Sequence, residues 1–145
     1  MRLTAANQAV ILAHYRAPYL RGLREPYDTE VRRYNPPCGD ELTLRTRVSG
    51  SGAAAVVANL SYDVQGCSIS QASASVMAGL VVGRSVQEAD ELNAEFAALL
   101  RGRVTEADAW PPRLGHAAAF REVACHPARI TCALLGWAAL HDALS

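Results

Sequence analysis

The sequence predicts an α+β fold, a small antiparallel sheet of about three strands packed against four to five helices, and three observations predict it. Apolar and polar residues alternate over two neighbouring stretches, Glu41 to Val48 and Val56 to Val64. Past Cys67 the period becomes helical, and further helix-start signals stand at Ser85 and Pro127. At 145 residues the chain fits one domain, 1–145, large enough to bury on the order of two-thirds of its unfolded surface. A core can therefore form without disulfide staples. Apolar residues are 50% and charged residues 19%, and the 14 cations balance the 14 acids, which argues against a nucleic-acid partner. Every cation is Arg, a compositional bias that carries no chemistry of its own.

Thr4 can cap a first helix running to about Arg16, with Ala6, Ala9, Val10 and Ala13 as its stripe and Pro18 as its stop. The polar connector that follows holds a short edge strand near Glu30 to Tyr34. In the next strand Leu42, Leu44 and Val48 face one way, with Glu41, Thr43, Arg45 and Arg47 opposite. Ser49, Gly50, Ser51 and Gly52 supply a turn, and Val56, Ala58, Leu60, Tyr62 and Val64 share a face of the returning strand. A hairpin folded about position 52 or 53 brings Cys38 opposite Cys67 at one sheet end. Ile69, Val76, Met77 and Leu80 mark a helix that Gly83 stops. The capping box Ser85 to Glu88 opens another to about Leu100, with the stripe Ala89, Leu92, Phe96 and Leu99. Trp110, Pro111 and Pro112 break the chain before a short helix, Leu114 to Val123. Pro127 starts the last helix, which reaches about Leu144. Its expected buried stripe is Ile130, Leu134, Trp137, Leu140 or His141, and Leu144, which turns Arg129, Cys132 and Gly136 to another face.

The apolar run Ala9 to Ala13 is too short for a signal segment or a membrane span, so a cytoplasmic protein is expected. In a reducing compartment Cys38, Cys67, Cys125 and Cys132 suit metal binding or catalysis better than a disulfide framework; scattered buried thiols are the plain alternative. Three cysteines and Asp40 meet the ligand count of a tetrahedral zinc site. Cys38-Gly39-Asp40 puts two donors on one turn, with Pro36 and Pro37 stiffening its approach; read blandly, it is a turn with a capping aspartate. Cys67 precedes a helix, where free amides and the helix dipole favour a thiolate. Arg129, one turn before Cys132, is the cation available to offset the excess negative charge of such a site, or else a solvated first-turn residue.

Three blocks in order, Asn35-Pro36-Pro37-Cys38-Gly39-Asp40, then Gly66-Cys67-Ser68-Ile69-Ser70-Gln71-Ala72-Ser73-Ala74-Ser75, then Pro127-Ala128-Arg129-Ile130-Thr131-Cys132 onward to Trp137, resemble the SufU/IscU/NifU-N family of iron–sulfur cluster assembly proteins across nearly the whole chain. The resemblance implies a SufE/IscU-like fold and a zinc-dependent sulfurtransferase working with a SufS-type cysteine desulfurase, itself a pyridoxal-phosphate enzyme, and with downstream iron–sulfur assembly proteins. It also implies Cys38, Asp40, Cys67 and Cys132 as ligands and Cys38 as sulfur acceptor. Asp40 and Arg129 would tune a ligand exchange in which a histidine of the desulfurase takes the place of Cys38. A long insert between Val82 and Val123, and Thr131 where IscU scaffolds carry His, resemble the SufU branch. Val64 stands where the family usually has Gly, which implies a stiffer loop before Cys67, and Cys125 and His126 replace an apolar pair. Cys125 is read as incidental and His126 as a cap or surface residue. Two other readings stay open: a scaffold assembling a 2Fe-2S cluster on the same ligands, and a purely structural zinc site. No G-x-S-x-G or zincin spacing supports a hydrolase.

Overall fold

The computed structural model describes residues 2–145. Helix α1 (Ala5–Arg16) leads into strand β1 (Thr29–Asn35), which pairs antiparallel with β2 (Asp40–Ser49), and β2 pairs with β3 (Val56–Gln65). Helices α2 (Ser68–Val81), α3 (Val86–Arg101) and α4 (Pro127–Leu144) follow, with a stretch of 3-10 turns, Pro112–Cys125, before the last. Helix α2 packs on β3 and α4 on β1 and β2, while α1, α3 and the 3-10 stretch lie against these two helices. The α+β expectation holds.

The alternation in β2 does what its pattern requires: Leu42 and Leu44 are fully buried and Glu41 and Arg47 are exposed. In β3 the pattern slips. Between the Arg47–Asn59 and Val48–Val57 pairs Ala58 is an extra residue, a bulge that turns Val57 inward and leaves Ala58 exposed, where both Val56 and Ala58 were expected to share the buried face. The register beyond the bulge puts Asn35 beside Asp40 and Gln65 beside Glu41, so the Gly66–Cys67 turn closes over the start of β2.

Thr4 caps α1, its Oγ1 accepting from Asn7 N at 3.4 Å. The stripe expected on α1 is displaced: Asn7 and Ile11 are buried, whereas Ala6, Ala9 and Ala13 are exposed. Glu122 explains the inward Asn7, since its Oε1 accepts from Asn7 Nδ2, Thr4 N and Thr4 Oγ1 at 2.6, 2.9 and 3.1 Å. Ser85 caps α3 as its capping box predicts, with Leu100 buried in place of Leu99. The Leu114–Val123 helix is instead a run of 3-10 turns broken at Gly115, whose φ of 50° no side chain readily adopts. On α4 the single stripe fails because the helix is covered on two sides, by the sheet and α2 on one and by α3 on the other. Cys132, Ala133, Leu135 and Gly136 are buried alongside Leu134, Trp137 and Leu140, and His141 is exposed. No described helix is long and apolar enough to cross a membrane.

Candidate metal centre

Three segments meet at the end of the sheet. The first is the turn between β1 and β2, where Pro36–Cys38 forms one 3-10 turn closed by Gly39 in the left-handed region at φ 68°. The turn lifts Cys38 over the start of β2 and leaves it half-buried, while Asp40, the first residue of that strand, is completely buried. The second is the β3–α2 turn. Cys67 is the N-cap of α2, and Gly66 before it has no room for a side chain: a Cβ there would lie 2.0 Å from Asp40 Oδ1. The third is the start of α4, whose second turn delivers the fully buried Cys132.

The sulfur atoms of Cys38 and Cys132 are 3.0 Å apart, and the donor atoms of Cys38, Asp40 and Cys132 all lie within 4.8 Å of one another. Cys67 stands at the edge of this trio, its Sγ 3.9 Å from Asp40 Oδ2. Tetrahedral zinc with thiolate bonds of 2.3 Å has ligand–ligand edges of about 3.8 Å. The Cys67–Asp40 separation is a few tenths of an ångström longer than the sulfur–oxygen edge of such a site, about 3.6 Å, and the Cys38–Cys132 edge needs to open by under an ångström. The donor set fits zinc.

The polar surroundings point the same way. Asp40 Oδ1 accepts from Cys67 N at 2.9 Å and its Oδ2 from Asn35 Nδ2 at 3.3 Å, and Asn35 Nδ2 also lies 3.5 Å from Cys132 Sγ. A buried carboxylate with two N–H donors and three thiols crowded around it is rich in acceptors and poor in positive charge. Burial pushes the Cys132 thiol well up, and its hydrogen bonds to Cys38 and Asp40 push it further. A bound cation is what would let that sulfur ionise. Arg129 is half-buried on the same helical turn; hydrogen bonding to Cys132 and then the charges of Cys67, Cys132 and Cys38 hold its guanidinium above the ordinary range. Of the expected site residues, Cys38, Asp40 and Cys132 lie within reach of one ion, Cys67 stands at their edge, and Arg129 is one turn before Cys132.

Two expected outliers stay apart from this group. Cys125 is exposed and lines a surface cleft with Arg2, Thr4, Thr105, Arg121 and Glu122, and His126 begins α4 without a side-chain cap bond. Thr131 is exposed, with its hydroxyl donating back to Ala128 O at 3.3 Å. Sequence reasoning gave Asn35 no role; an Asn at a strand end before two prolines was the signal, and its reach to Asp40 becomes visible only with the β1–β2 register.

The model of the NifU-like N terminal domain matches residues 6–145. The chain belongs to the SufU/IscU/NifU-N family. This family member is 32% identical over 143 residues to the zinc-dependent sulfurtransferase SufU of Bacillus subtilis (strain 168), covering 99% of the chain and 92% of that protein. To the iron–sulfur cluster assembly scaffold protein IscU of Streptococcus pyogenes serotype M1 it is 31% identical over 143 residues, covering 99% of the chain and 85% of that protein. Its fold is similar to the crystal structure of a nitrogen-fixing NifU-like protein (N-terminal) from Brucella abortus, with a TM-score of 0.76 at 27% identity over 93% of this chain and 89% of that one. A SufU/IscU-type protein thus carries a Cys/Asp cluster of metal-binding character at its sheet end.

Proposed function

We propose that this protein is a zinc-dependent sulfurtransferase that accepts persulfide sulfur from a SufS-type cysteine desulfurase in the cytoplasm for iron–sulfur cluster assembly. The observation that carries the reading is the convergence of Cys38, Asp40 and Cys132 within 4.8 Å, with Cys38 partly open to solvent and Cys132 wholly enclosed. Cys38, Asp40, Cys67 and Cys132 would hold the ion, whose chemistry is to keep thiolates anionic at neutral pH. Cys38 is the acceptor. Its turn is flanked by exposed Pro37 and Gly39, so a donor can approach its sulfur without unpacking the core. The Cys38 thiolate attacks the outer sulfur of the donor's persulfide. The donor's S–S bond breaks, its cysteine leaves as thiolate, and Cys38 becomes the persulfide, with no net redox change. Asp40, buried and fixed by two N–H donors, would hold the ion and, with Arg129, tune the exchange at Cys38. Arg129 supports the anionic sulfur from the first turn of α4.

The test is metal analysis with sulfur transfer. One zinc per chain, lost in Cys67→Ala, together with a gain in desulfurase turnover that Cys38→Ala abolishes, is the expected result. Turnover unchanged by the protein, or sulfur still accepted by Cys38→Ala, overturns it. The likeness to the IscU scaffold favours a second reading, in which the same ligands assemble a 2Fe-2S cluster. Anaerobic reconstitution discriminates: a stable chromophore transferable to an apo-protein supports the scaffold, and zinc that resists iron supports sulfur transfer.

A further inference from the structure

The turn that carries Cys67 is held from outside by two side chains that are not ligands. Gln71, one turn into α2, donates from Nε2 to Gly66 O at 2.8 Å and accepts at Oε1 from an Arg21 terminal nitrogen at 2.9 Å. Arg21 arrives from the segment after α1, which is itself tied down where Gly22 N donates to Tyr62 O at 2.7 Å. Its other terminal nitrogen donates to Val64 O at 2.8 Å, and its Nε to Asp63 Oδ1 at 3.2 Å. The carbonyls on either side of Gln65 are thus each taken by a side-chain donor, while Asp40 presses on Gly66 from within.

Glycine has a freer backbone than other residues unless something fixes it. Cys67 is also the ligand at the edge of the trio, so small changes in this turn move its sulfur into or out of reach. The Arg21–Asp63 ion pair is partly exposed and contributes little alone. What matters is the fork: one planar guanidinium satisfies a carboxylate, an amide oxygen and a backbone carbonyl at once, which a lysine cannot do.

We propose that Arg21 and Gln71 form a clamp of positioning residues that sets how readily the Cys67 sulfur leaves and rejoins the metal ligand set. The inference rests on the metal-centre reading above. Neither residue touches the ion or the transferred sulfur. They act through the Gly66 backbone.

The experiment compares the full-length parent with Arg21→Met, Arg21→Lys and Gln71→Leu. Zinc release from loaded protein to excess chelator is followed alongside the alkylation rates of Cys67 and Cys132 in reduced, metal-free protein. Loss of a charged hydrogen-bond donor predicts zinc release about tenfold faster in Arg21→Met, with a similar gain in Cys67 alkylation. Gln71→Leu should show a smaller gain, Arg21→Lys partial recovery, and Cys132 an unchanged rate. If both folded variants, Arg21→Met and Gln71→Leu, stay within about twofold of the parent, or Cys132 speeds up as much as Cys67, the clamp is overturned. If Arg21→Met does not fold, Gln71→Leu decides by the same criteria. Failure of the parent to bind zinc would sink the metal-centre reading instead, and Cys67 alkylation would still judge the clamp.

Discussion

Two buried stretches of α4, one around Trp137 and one around Cys132, are completed differently. Near its middle Trp137 stacks on Phe96 with centroids 4.7 Å apart, and Phe96 meets Phe120 edge to face at 6.3 Å. The polar atoms here are paired within the chain: Trp137 Nε1 donates to Ser73 Oγ, Ser73 Oγ to Ala133 O, and Asn93 Nδ2 to Trp137 O. In the first turns of the same helix, Cys132 lies among Cys38, Asp40 and Cys67, where acceptors outnumber donors. One stretch is finished by packing, whereas the other, on the proposed reading, would be finished by a bound cation. Stability should therefore separate into a part that ignores metal and a part that follows it.

The largest expected effect lies at the packed stretch. Trp137→Ala removes the biggest fully buried side chain and should cost about 3–5 kcal/mol of stability. The loss should be the same with zinc as with chelator, read by denaturant unfolding in both. If the loss depends on zinc, the two stretches are one cooperative unit with the metal and the separation fails. At the thiol end the sharper probe is Gly66→Ala. Its Cβ would lie 2.0 Å from Asp40 Oδ1, so the carboxylate must move, and zinc affinity should fall about 10-fold to 100-fold. Unfolding in chelator should change far less than zinc affinity does, and a competition titration against a colorimetric chelator measures that affinity.

How much of this was legible in the sequence divides along similar lines. The hairpin and the α3 cap are local matters, fixed by alternation and a capping box. They came out as read. The α1 stripe, the α4 faces and the Ala58 bulge did not, because each depends on a partner far along the chain: Glu122 draws Asn7 inward, and the sheet with α3 covers α4 from both sides. Counting apolar residues around a helix presumes one buried face. At the site, Arg21, Gln71 and Asn35 are ordinary polar residues whose spacing announces nothing, and only the tertiary register places them beside the Cys67 turn and Asp40.

A smaller effect sharpens the view of the packed stretch. Gly136 sits inside α4 with an ideal Cβ 3.5 Å from Ala74 Cα, Ala74 Cβ and Leu42 Cδ1, which is ordinary contact. Gly136→Ala should then gain up to about 1 kcal/mol from helix propensity and raise Tm by a few degrees, with zinc affinity unchanged. A fall in Tm would mean that α2 and α4 pack too rigidly there to admit a methyl group.

The smallest effect tests whether α2, which Cys67 precedes as N-cap, has a pH-sensitive tie unrelated to its thiol end. His14 on α1 places Nδ1 2.7 Å from the buried Ser75 Oγ of α2 and Nε2 2.9 Å from His116 Nδ1 of the 3-10 stretch. Burial, and then the neighbouring His116, lower the His14 pKa below its ordinary 6.5. The folded state thus resists a proton that the unfolded chain takes up. This contribution is fully present above pH 6.5 and is lost as pH falls below that value toward the depressed folded pKa. Metal-free protein should show Tm declining as pH falls below about 6.5, and His14→Gln, which keeps a polar group but cannot become charged, should flatten the decline. An identical slope in parent and variant would assign the acid sensitivity to other groups and leave the α1–α2 contact indifferent to pH.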